Sequence, residues 1–490
     1  MRRLLTFALS LTASATLLVA LPTITTGASA APRPVEPGLE QVRLTGASPG
    51  DLRSPVLTGK RFSVMGVTWT PDAAVDEVDV EVRTRTGGRW SAWEHVEASG
   101  DDAPDVGTDD TGRRLRSGTS PIWTGPSDGV QVSVRTLRGA PPRDVKLELV
   151  DPGTSPADRA AAVPSGTAHA AASRPEIISR AQWGADESIR RGTPDYTSTV
   201  KVGFVHHTAS SNDYSAAQAA AMVRGIYAYH VKSNGWSDIG YNFLVDRYGR
   251  AYEGRAGGID RYVLGAHTGG FNVDSFGVSL LGDFSTVAPS VGTMATVSQI
   301  LAWKLGSAYR DPRGKAVLTS AGGGTSKHRA GAQVTFDVVS GHRDAGNTSC
   351  PGATTYARLP ALRSSVAADL GPNLVNPVVS GPTTPPVGST GPLVLRAGTL
   401  QDLPWTATVT DSAGALLRSS RGTGGQAALT WNLTDAAGRP VKPGTYSLRI
   451  TGGAAGVVPY VRTVVVGNPP CQGTPLARAT CQAKQRTARR

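Results

Sequence analysis

Charge is sparse in this 490-residue chain: Asp, Glu, Lys and Arg together supply 18% of it. Aromatic residues add only 6%, and there are four methionines and three cysteines. No acid precedes Glu36. Beyond the N-terminus no run of about 18 apolar residues occurs, which excludes a further membrane-crossing helix. Low charge density with 39% apolar residues excludes a coiled coil, a collagen and a wholly disordered chain, because such a sequence can bury several cores. At roughly 150 residues per domain, the length corresponds to about three domains. Punctuation, by contrast, is plentiful. The 58 glycines and 34 prolines suit a multidomain protein with many turns and joints. Basic residues number 50 against 38 acids, a formal charge of +12, which points to an anionic partner: a nucleic acid, a membrane surface or a cell wall. Charge alone does not choose among them.

Arg2 and Arg3 precede an apolar run, 4–21, and Ala28-Ser29-Ala30 follows with the small residues of a cleavage site. Residues 1–30 therefore read as a secretory signal rather than an anchor, since Ser10, Thr12, Ser14 and Thr16 dilute the run. The mature protein is expected to be secreted, extracellular or wall-associated, with no stable membrane insertion. In an oxidising compartment an odd number of cysteines needs explaining. Cys471 and Cys481 lie close enough in sequence to close a small disulfide loop, which leaves Cys350 as a thiol that must be buried, metal-bound or catalytic.

Residues 31–53 are polar and proline-containing and read as a leader. Residues 54–150 read as an all-β domain. There Val78, Val80 and Val82 alternate with Asp79, Glu81 and Arg83, the two-residue period of a half-buried strand. Further strands are expected at 62–69, 90–95 and 130–137. Trp69, Trp90, Trp93 and Trp123 read as core in preference to a sugar-stacking platform, and the acidic stretch 101–110 as a solvated loop. After a linker at 151–173, residues 174–370 alternate strands with helices, the mark of a mixed β-sheet covered by helices. Strands are expected at 200–205, 241–245, 250–254, 276–281 and 334–340, and helices from Ser215 and around Val297, Ile300, Leu301 and Leu305. Residues 371–392 read as a second linker, rich in Pro and Gly, and 393–467 as a β-sandwich. The tail 468–490 is basic, and reads either as a grip on anionic polymers or as a solvated end.

Six of the eight histidines fall in the central domain. His206-His207 and His342 close expected strands, and Cys350 follows His342 by eight positions. Strand ends that feed loops are where α/β folds place their sites. Two histidines and a cysteine make a zinc set that leaves the fourth tetrahedral position open, the catalytic pattern rather than the structural one. Because neighbours in a strand face opposite sides, only one of His206 and His207 can join it. By spacing alone, a metal site and a Cys–His nucleophile pair stand level.

Several words surround these residues. Ile178-Ser179-Arg180-Ala181-Gln182-Trp183-Gly184-Ala185 opens the domain. Phe204-Val205-His206-His207-Thr208-Ala209, Trp236-Ser237-Asp238-Ile239-Gly240-Tyr241-Asn242-Phe243 and Tyr252-Glu253-Gly254-Arg255 follow. Gly265-Ala266-His267-Thr268 with Phe271-Asn272, and Gly341-His342-Arg343-Asp344 with Cys350-Pro351-Gly352, complete the series. In this order they closely resemble the peptidoglycan recognition protein family, relatives of the phage lysozyme-type amidases, across residues 174–370. Members of that family are zinc-dependent N-acetylmuramoyl-L-alanine amidases, or receptors that have lost the metal. The resemblance implies that His206, His342 and Cys350 are zinc ligands and that Tyr241 is catalytic. Thr348 matches a site position that is Lys in the phage enzymes. His267 and Asn272 match substrate-groove positions, and Arg255 reads equally as a partner for a stem-peptide carboxylate and as a structural residue. The implied reaction is hydrolysis of the amide between the lactyl group of muramic acid and L-alanine, with zinc activating water and Tyr241 donating to the oxyanion. His207 and His230 read as packing residues, His328 as exposed, and Asp238, Arg343 and Asp344 as turn or supporting residues.

Three departures stand out. Ser279 occupies the strand on which cytosolic anhydro-muropeptide amidases use a Glu. The domain holds no second cysteine for the family's disulfide. After Glu253-Gly254-Arg255 the chain has Ala256-Gly257-Gly258-Ile259-Asp260-Arg261 in place of the family's Gly-Trp or Asn-Phe pair, so no preference for diaminopimelate or lysine stems carries over. Further on, Thr430-Trp431-Asn432-Leu433-Thr434-Asp435 with Pro443-Gly444-Thr445-Tyr446 is similar to the immunoglobulin-like module of flagellar hook-capping proteins, which implies a spacer or docking role. The expected protein is thus a secreted zinc amidase acting on peptidoglycan, with anionic wall polymers as further partners of its basic surface. Nucleic acid is not expected, for want of an aromatic-and-basic groove. A non-catalytic peptidoglycan receptor and a wall cysteine peptidase using Cys350 are the competing expectations.

Overall fold

The computed structural model describes residues 33–48, 50–98, 102–105, 108, 115–159, 174–323, 326–381 and 391–467. The expected signal segment, Cys471, Cys481 and the basic tail lie outside the described residues. Among the described residues no helix is long and apolar enough to cross a membrane.

The N-terminal part is a ten-stranded sheet. Antiparallel neighbours run in the order Gly38–Arg43, Lys146–Asp151, Leu57–Trp69, Ile122–Gly139, Asp51–Arg53 and Thr45–Ser48, and Val75–Thr86 also pairs with Ile122–Gly139. The two-residue period sorts its faces. Val78, Val80 and Val82 are buried, Val80 opposite Val134 and Val82 opposite Val132, while Asp79 and Glu81 on the other face meet Arg135. Trp69 and Trp123 are core. Trp90 and Trp93 are not; they lie at the surface with the Arg83 guanidinium over both rings. Residues 31–53 do not form a leader, since three of the strands lie there. Gly38–Arg43 and Asp51–Arg53 pair with strands at the far end of the domain, Thr45–Ser48 pairs with Asp51–Arg53, and few apolar side chains, among them Leu39, Val42, Leu44 and Leu52, turn inward. The linker expected from 151 likewise starts later: Asp151 ends a strand, and a 3-10 turn, Pro156–Arg159, follows.

The central domain rests on a six-stranded sheet in the order Ile177–Ile178, Ala251–Glu253, Phe243–Val245, Ser275–Leu280, Val202–His207 and Val339–Gly341. All neighbours are parallel except the hairpin formed by Phe243–Val245 and Ala251–Glu253. A sheet covered on both faces needs apolar residues on both sides, and Val202–His207 and Ser275–Leu280 are buried at every position. Alternation still divides them. Phe243, Val245 and Val278 pack with Val297, Ile300 and Leu301 of helix Val291–Ser307 and with Leu362 and Val366 of helix Leu359–Leu370. Leu244 and Tyr252 face the other way, toward Met222, Val223 and Ile226 of helix Ala219–Ala228. The strand expected at 334–340 is two strands. Gln333–Asp337 pairs with Lys315–Thr319 in a separate sheet, and Val339–Gly341 joins the central one, because Phe336 and Val339 belong to different cores.

The C-terminal part is a five-stranded antiparallel sheet of Leu374–Ser380, Leu393–Thr410, Gly444–Gly452 and Tyr460–Val466, with Leu416–Trp431 also pairing to Leu393–Thr410. The linker expected at 371–392 therefore begins with a strand. Pro377 is tolerated there because it sits at a bulge between Val375 and Val378, where the ladder needs no N–H.

The N-terminal sheet and the central domain share a core. Helix Ala219–Ala228 is buried at all ten positions, and Val64, Trp123 and Val150 of the N-terminal sheet join its cluster. Approach is close: a Cβ on Gly225 would lie 2.5 Å from Val64 Cγ2, and one on Gly66 would lie 2.2 Å from the Tyr229 hydroxyl. Arg224, in the middle of the helix, donates to the carbonyls of Pro152 and Trp183 and to both carboxylate oxygens of Asp158 at 2.8 Å. Arg224→Leu leaves those acceptors unanswered in the interior. It is expected to cost about 3 kcal/mol of stability, seen as a lower denaturant midpoint, part of which returns when Asp158→Ala is added.

Candidate metal centre

Parallel pairing of Val202–His207 with Val339–Gly341 sets Val205 opposite Gly341. The next residues along the two strands are His206 and His342, so the register delivers both imidazoles to one end of the sheet. The chain turns through a 3-10 segment, His342–Asp344, and comes back at Cys350, whose carbonyl accepts the Arg343 N–H at 2.9 Å. The ligand atoms of His206, His342 and Cys350 lie within 4.8 Å of one another, and all three residues are buried.

Their chemistry suits a cation. His206 Nδ1 faces Cys350 Sγ at 3.8 Å, while Nε2 points away, 3.2 Å from His267 Nδ1 and 3.4 Å from Thr268 Oγ1. A metal-binding histidine is normally fixed in this way by a partner behind the ring. Burial, then the neighbouring His342, His267 and His207, push the His206 pKa well below the usual histidine range, so the ring keeps a lone pair. The Cys350 sulfur accepts the His207 backbone N–H at 3.3 Å, which favours the thiolate. A tetrahedral ion with zinc's bond lengths to N and S has ligand–ligand edges of about 3.3–3.8 Å. The His206–Cys350 edge, at 3.8 Å, matches such an ion, and the donor set is one that zinc takes.

His207 points to the other side of the strand. Its Nδ1 accepts the Phe284 N–H at 3.2 Å, and burial lowers its pKa to about 4. Tyr241 is buried beside His206, ring centroids 5.4 Å apart, and burial raises its pKa well above the usual tyrosine range. Thr348 Oγ1 accepts the Cys350 N–H at 3.2 Å and so shapes the loop that carries the sulfur. His267, expected in the groove, is 0% exposed, lies behind His206 against Gly265 and Gly277, and has its Nδ1 3.2 Å from His206 Nε2. Asn272 Oδ1 accepts the N–H groups of His267 and Thr268, and its buried amide nitrogen donates to Ala103 O and Asp105 Oδ1. Arg255 donates to Ser237 Oγ at 2.6 Å at the rim, away from the trio. Asp238 accepts from Arg180 and from the Ile239 and Ala256 N–H groups, a supporting role. His328 is half-buried, edge-on to Phe271, rather than exposed.

Three residues that sequence reasoning passed over come from the N-terminal domain. The stretch 101–110 was expected to be solvated, yet Asp102 accepts the Tyr241 hydroxyl at 2.6 Å. Asp105 accepts from Gly270 N–H, Asn272 N–H and the Asn272 amide, and burial outweighs these bonds to raise its pKa. Glu97, one residue past strand Glu94–Val96, accepts from Thr348 Oγ1, Ser349 N–H and Ser349 Oγ. Nothing local in the sequence ties these carboxylates to a centre formed so much later in the chain.

A family described as N-acetylmuramoyl-L-alanine amidase matches residues 196–353, and one described as Rv3811 N-terminal galactose-binding domain-like matches residues 25–168. The central domain is therefore of the amidase class, carried on a larger chain with a galactose-binding-like β domain before it. Peptidoglycan-recognition protein SC2 of Drosophila simulans is 32% identical over 180 residues, which is 37% of this chain and 82% of that protein. Human N-acetylmuramoyl-L-alanine amidase is 32% identical over 188 residues, 37% of this chain and 27% of that protein. The solved structure of Drosophila PGRP-LB aligns with 38% of this chain and 93% of its own at 25% identity, with a TM-score of 0.30. The chain belongs to the peptidoglycan recognition protein family.

His230 offers a test of how dry the surroundings are. Its Nδ1 accepts the Gly240 N–H at 3.1 Å, its ring lies against Trp236, and burial pushes its pKa from 6.5 to about 3. The folded pKa is the lower one, so between these values the unfolded chain binds the proton and the fold does not. Stability is therefore whole above pH 6.5 and falls as pH drops toward 3, by about 1.4 kcal/mol per pH unit from this group. His230→Asn, whose amide oxygen can take the place of Nδ1, is expected to flatten the stability–pH profile between pH 6 and 4, as measured by chemical denaturation.

Proposed function

We propose that the protein is an exported, zinc-dependent N-acetylmuramoyl-L-alanine amidase that cuts the peptide stem from muramic acid in bacterial peptidoglycan. The observation that carries this reading is the convergence of His206, His342 and Cys350, two imidazoles and a thiol that supply three of the four ligands a tetrahedral ion takes. His206 Nδ1, His342 and Cys350 Sγ would hold the ion. A zinc ion so held supplies Lewis acidity, polarising the scissile carbonyl and lowering the pKa of a coordinated water.

The chain's own residues do the rest. Tyr241 keeps its proton because burial raises its pKa, so its hydroxyl donates to the carbonyl oxygen as negative charge develops there. His267 and Thr268 hold the His206 ring, and Thr348 holds the backbone of Cys350. The Asn272 amide, once released from Ala103 and Asp105, is a donor for stem-peptide carbonyls, and Arg255 at the rim is a bidentate partner for a stem carboxylate. A cysteine-peptidase role suits Cys350 less well, because the sulfur is buried among two histidines with which it forms a metal-ligand set. Export through the N-terminal segment fits an extracellular polymer. The basic surface would add attraction to anionic wall polymers, with the C-terminal sheet as a spacer.

The test is digestion of purified peptidoglycan with mass analysis of the products. Peptides beginning at L-alanine are expected, lost with chelator and restored by zinc. Cys350→Ser should abolish both bound zinc and cleavage, and Tyr241→Phe should lower kcat by about 10²–10³-fold while zinc stays bound. Tight binding to peptidoglycan with no product would overturn the catalytic reading. Cleavage that survives chelation would overturn the metal.

A further inference from the structure

The centre already has an occupant, and it comes from the N-terminal domain. Asp102 Oδ1 lies 3.5 Å from His342 Nδ1 and 3.7 Å from His206 Nδ1, within the about 3.3–3.8 Å edges of the tetrahedron that the trio begins. The other oxygen of the same carboxylate accepts the Tyr241 hydroxyl at 2.6 Å. On either side the segment is tied down. Asp105 takes the N–H groups of Gly270 and Asn272 together with the Asn272 amide, Ala103 O accepts from that amide at 2.9 Å, and Glu97 takes Thr348 and Ser349. The donors engaged are the ones a peptide stem would need.

Charge supports the same assignment. A divalent ion with one thiolate and two neutral imidazoles carries a net positive charge in a buried site, which is costly unless neutralised. One carboxylate neutralises it. Carboxylate oxygen also bonds zinc at the distance the other ligands use, and four protein ligands close the position that catalysis requires to be open.

We propose that Asp102 is a fourth protein ligand of the centre, and that Glu97, Asp102 and Asp105 hold the folded chain in a latent form, its groove closed in cis by the N-terminal domain. The proposal rests on the zinc-amidase reading above. Substrate gains access by displacing the carboxylate, and a cleft of about 1050 Å³ bordered by Ala103, Pro104, Trp236 and Gly269 runs beside the segment.

Cobalt(II) loaded into the full-length wild type and Asp102→Ala provides the test, because its visible spectrum reports the ligand set without turnover. Binding of a soluble muramyl tripeptide and release of peptide from peptidoglycan are measured on the same samples. Both chains are expected to take up one cobalt, with a shifted visible band in Asp102→Ala where water replaces carboxylate. Tripeptide affinity and initial rate should each rise roughly tenfold, as when a closed state that hides nine-tenths of the sites is removed. Asp105→Ala keeps the ligand and loses only an anchor. It should raise affinity and rate in the same direction by a smaller factor, with the band moving part of the way toward that of Asp102→Ala. Unchanged spectra with cobalt bound, or affinity and rate no higher in either variant, would overturn the latch and leave the amidase standing. Failure of both chains to bind cobalt would remove the metal centre itself, and the latch with it.

Discussion

The fully buried helix Ala219–Ala228 is the constraint on which the rest of the structure depends. A helix apolar all round must be covered all round. The central sheet covers one side of it and the N-terminal sheet the other, so neither domain has a complete core without its neighbour. Gly66 and Gly225 allow the close approach, and Arg224 makes it specific: a buried guanidinium is tolerable only where carbonyls and a carboxylate meet its donors, and those come from residues 152–158 and from Trp183. Docking is therefore fixed in angle and register. The N-terminal strand that ends at Val96 is thereby aimed at the mouth of the amidase centre.

The centre follows from sheet geometry. Parallel strands in register bring like positions side by side, which gives His206 its neighbour His342 without any contact specific to a metal. Alternation then turns His207 to the opposite face, where its ring and main chain become scaffolding: Nδ1 holds the Phe284 N–H, and its own N–H holds the sulfur. Burial keeps these imidazoles neutral, the state that can coordinate. Packing sets the geometry of the trio in advance of any ion.

What could be read in the sequence was whatever repeats locally or is spelled in contiguous words. The Val78, Val80, Val82 alternation and the Val297, Ile300, Leu301 stripe named their elements because each buries one face of a regular structure. The strand-end histidines and Cys350 could be grouped because the words around them resemble one family. Strands such as Gly38–Arg43 and Leu374–Ser380 are hard to read because few of their side chains are buried, and the first also pairs with a strand remote in sequence. The words around His267 give its neighbourhood but not which side of His206 it occupies. Asp102 and Asp105 were the least legible. A carboxylate in a Gly- and Asp-rich stretch looks solvated until the docking of two domains shows where it lands.

That docking gives the groove its energetic character. The amidase side of the interface offers donors: the N–H groups of Gly270, Asn272 and Ser349, the Asn272 amide and the Tyr241 hydroxyl. Buried donors left unmet cost more than the bonds return when made, so this surface always calls for acceptors. Carboxylates of the N-terminal domain and the carbonyls and carboxylates of a peptide stem are acceptors of the same kind. Exchanging one for the other conserves the hydrogen-bond count, and the balance then turns on tethering against the extra contacts of a polymer. The tethered carboxylates pay no translational entropy, whereas a wall polymer brings many stems past one site. In the latch proposed above, the closed and stem-bound states would share this chemistry, and substrate concentration would then decide between them.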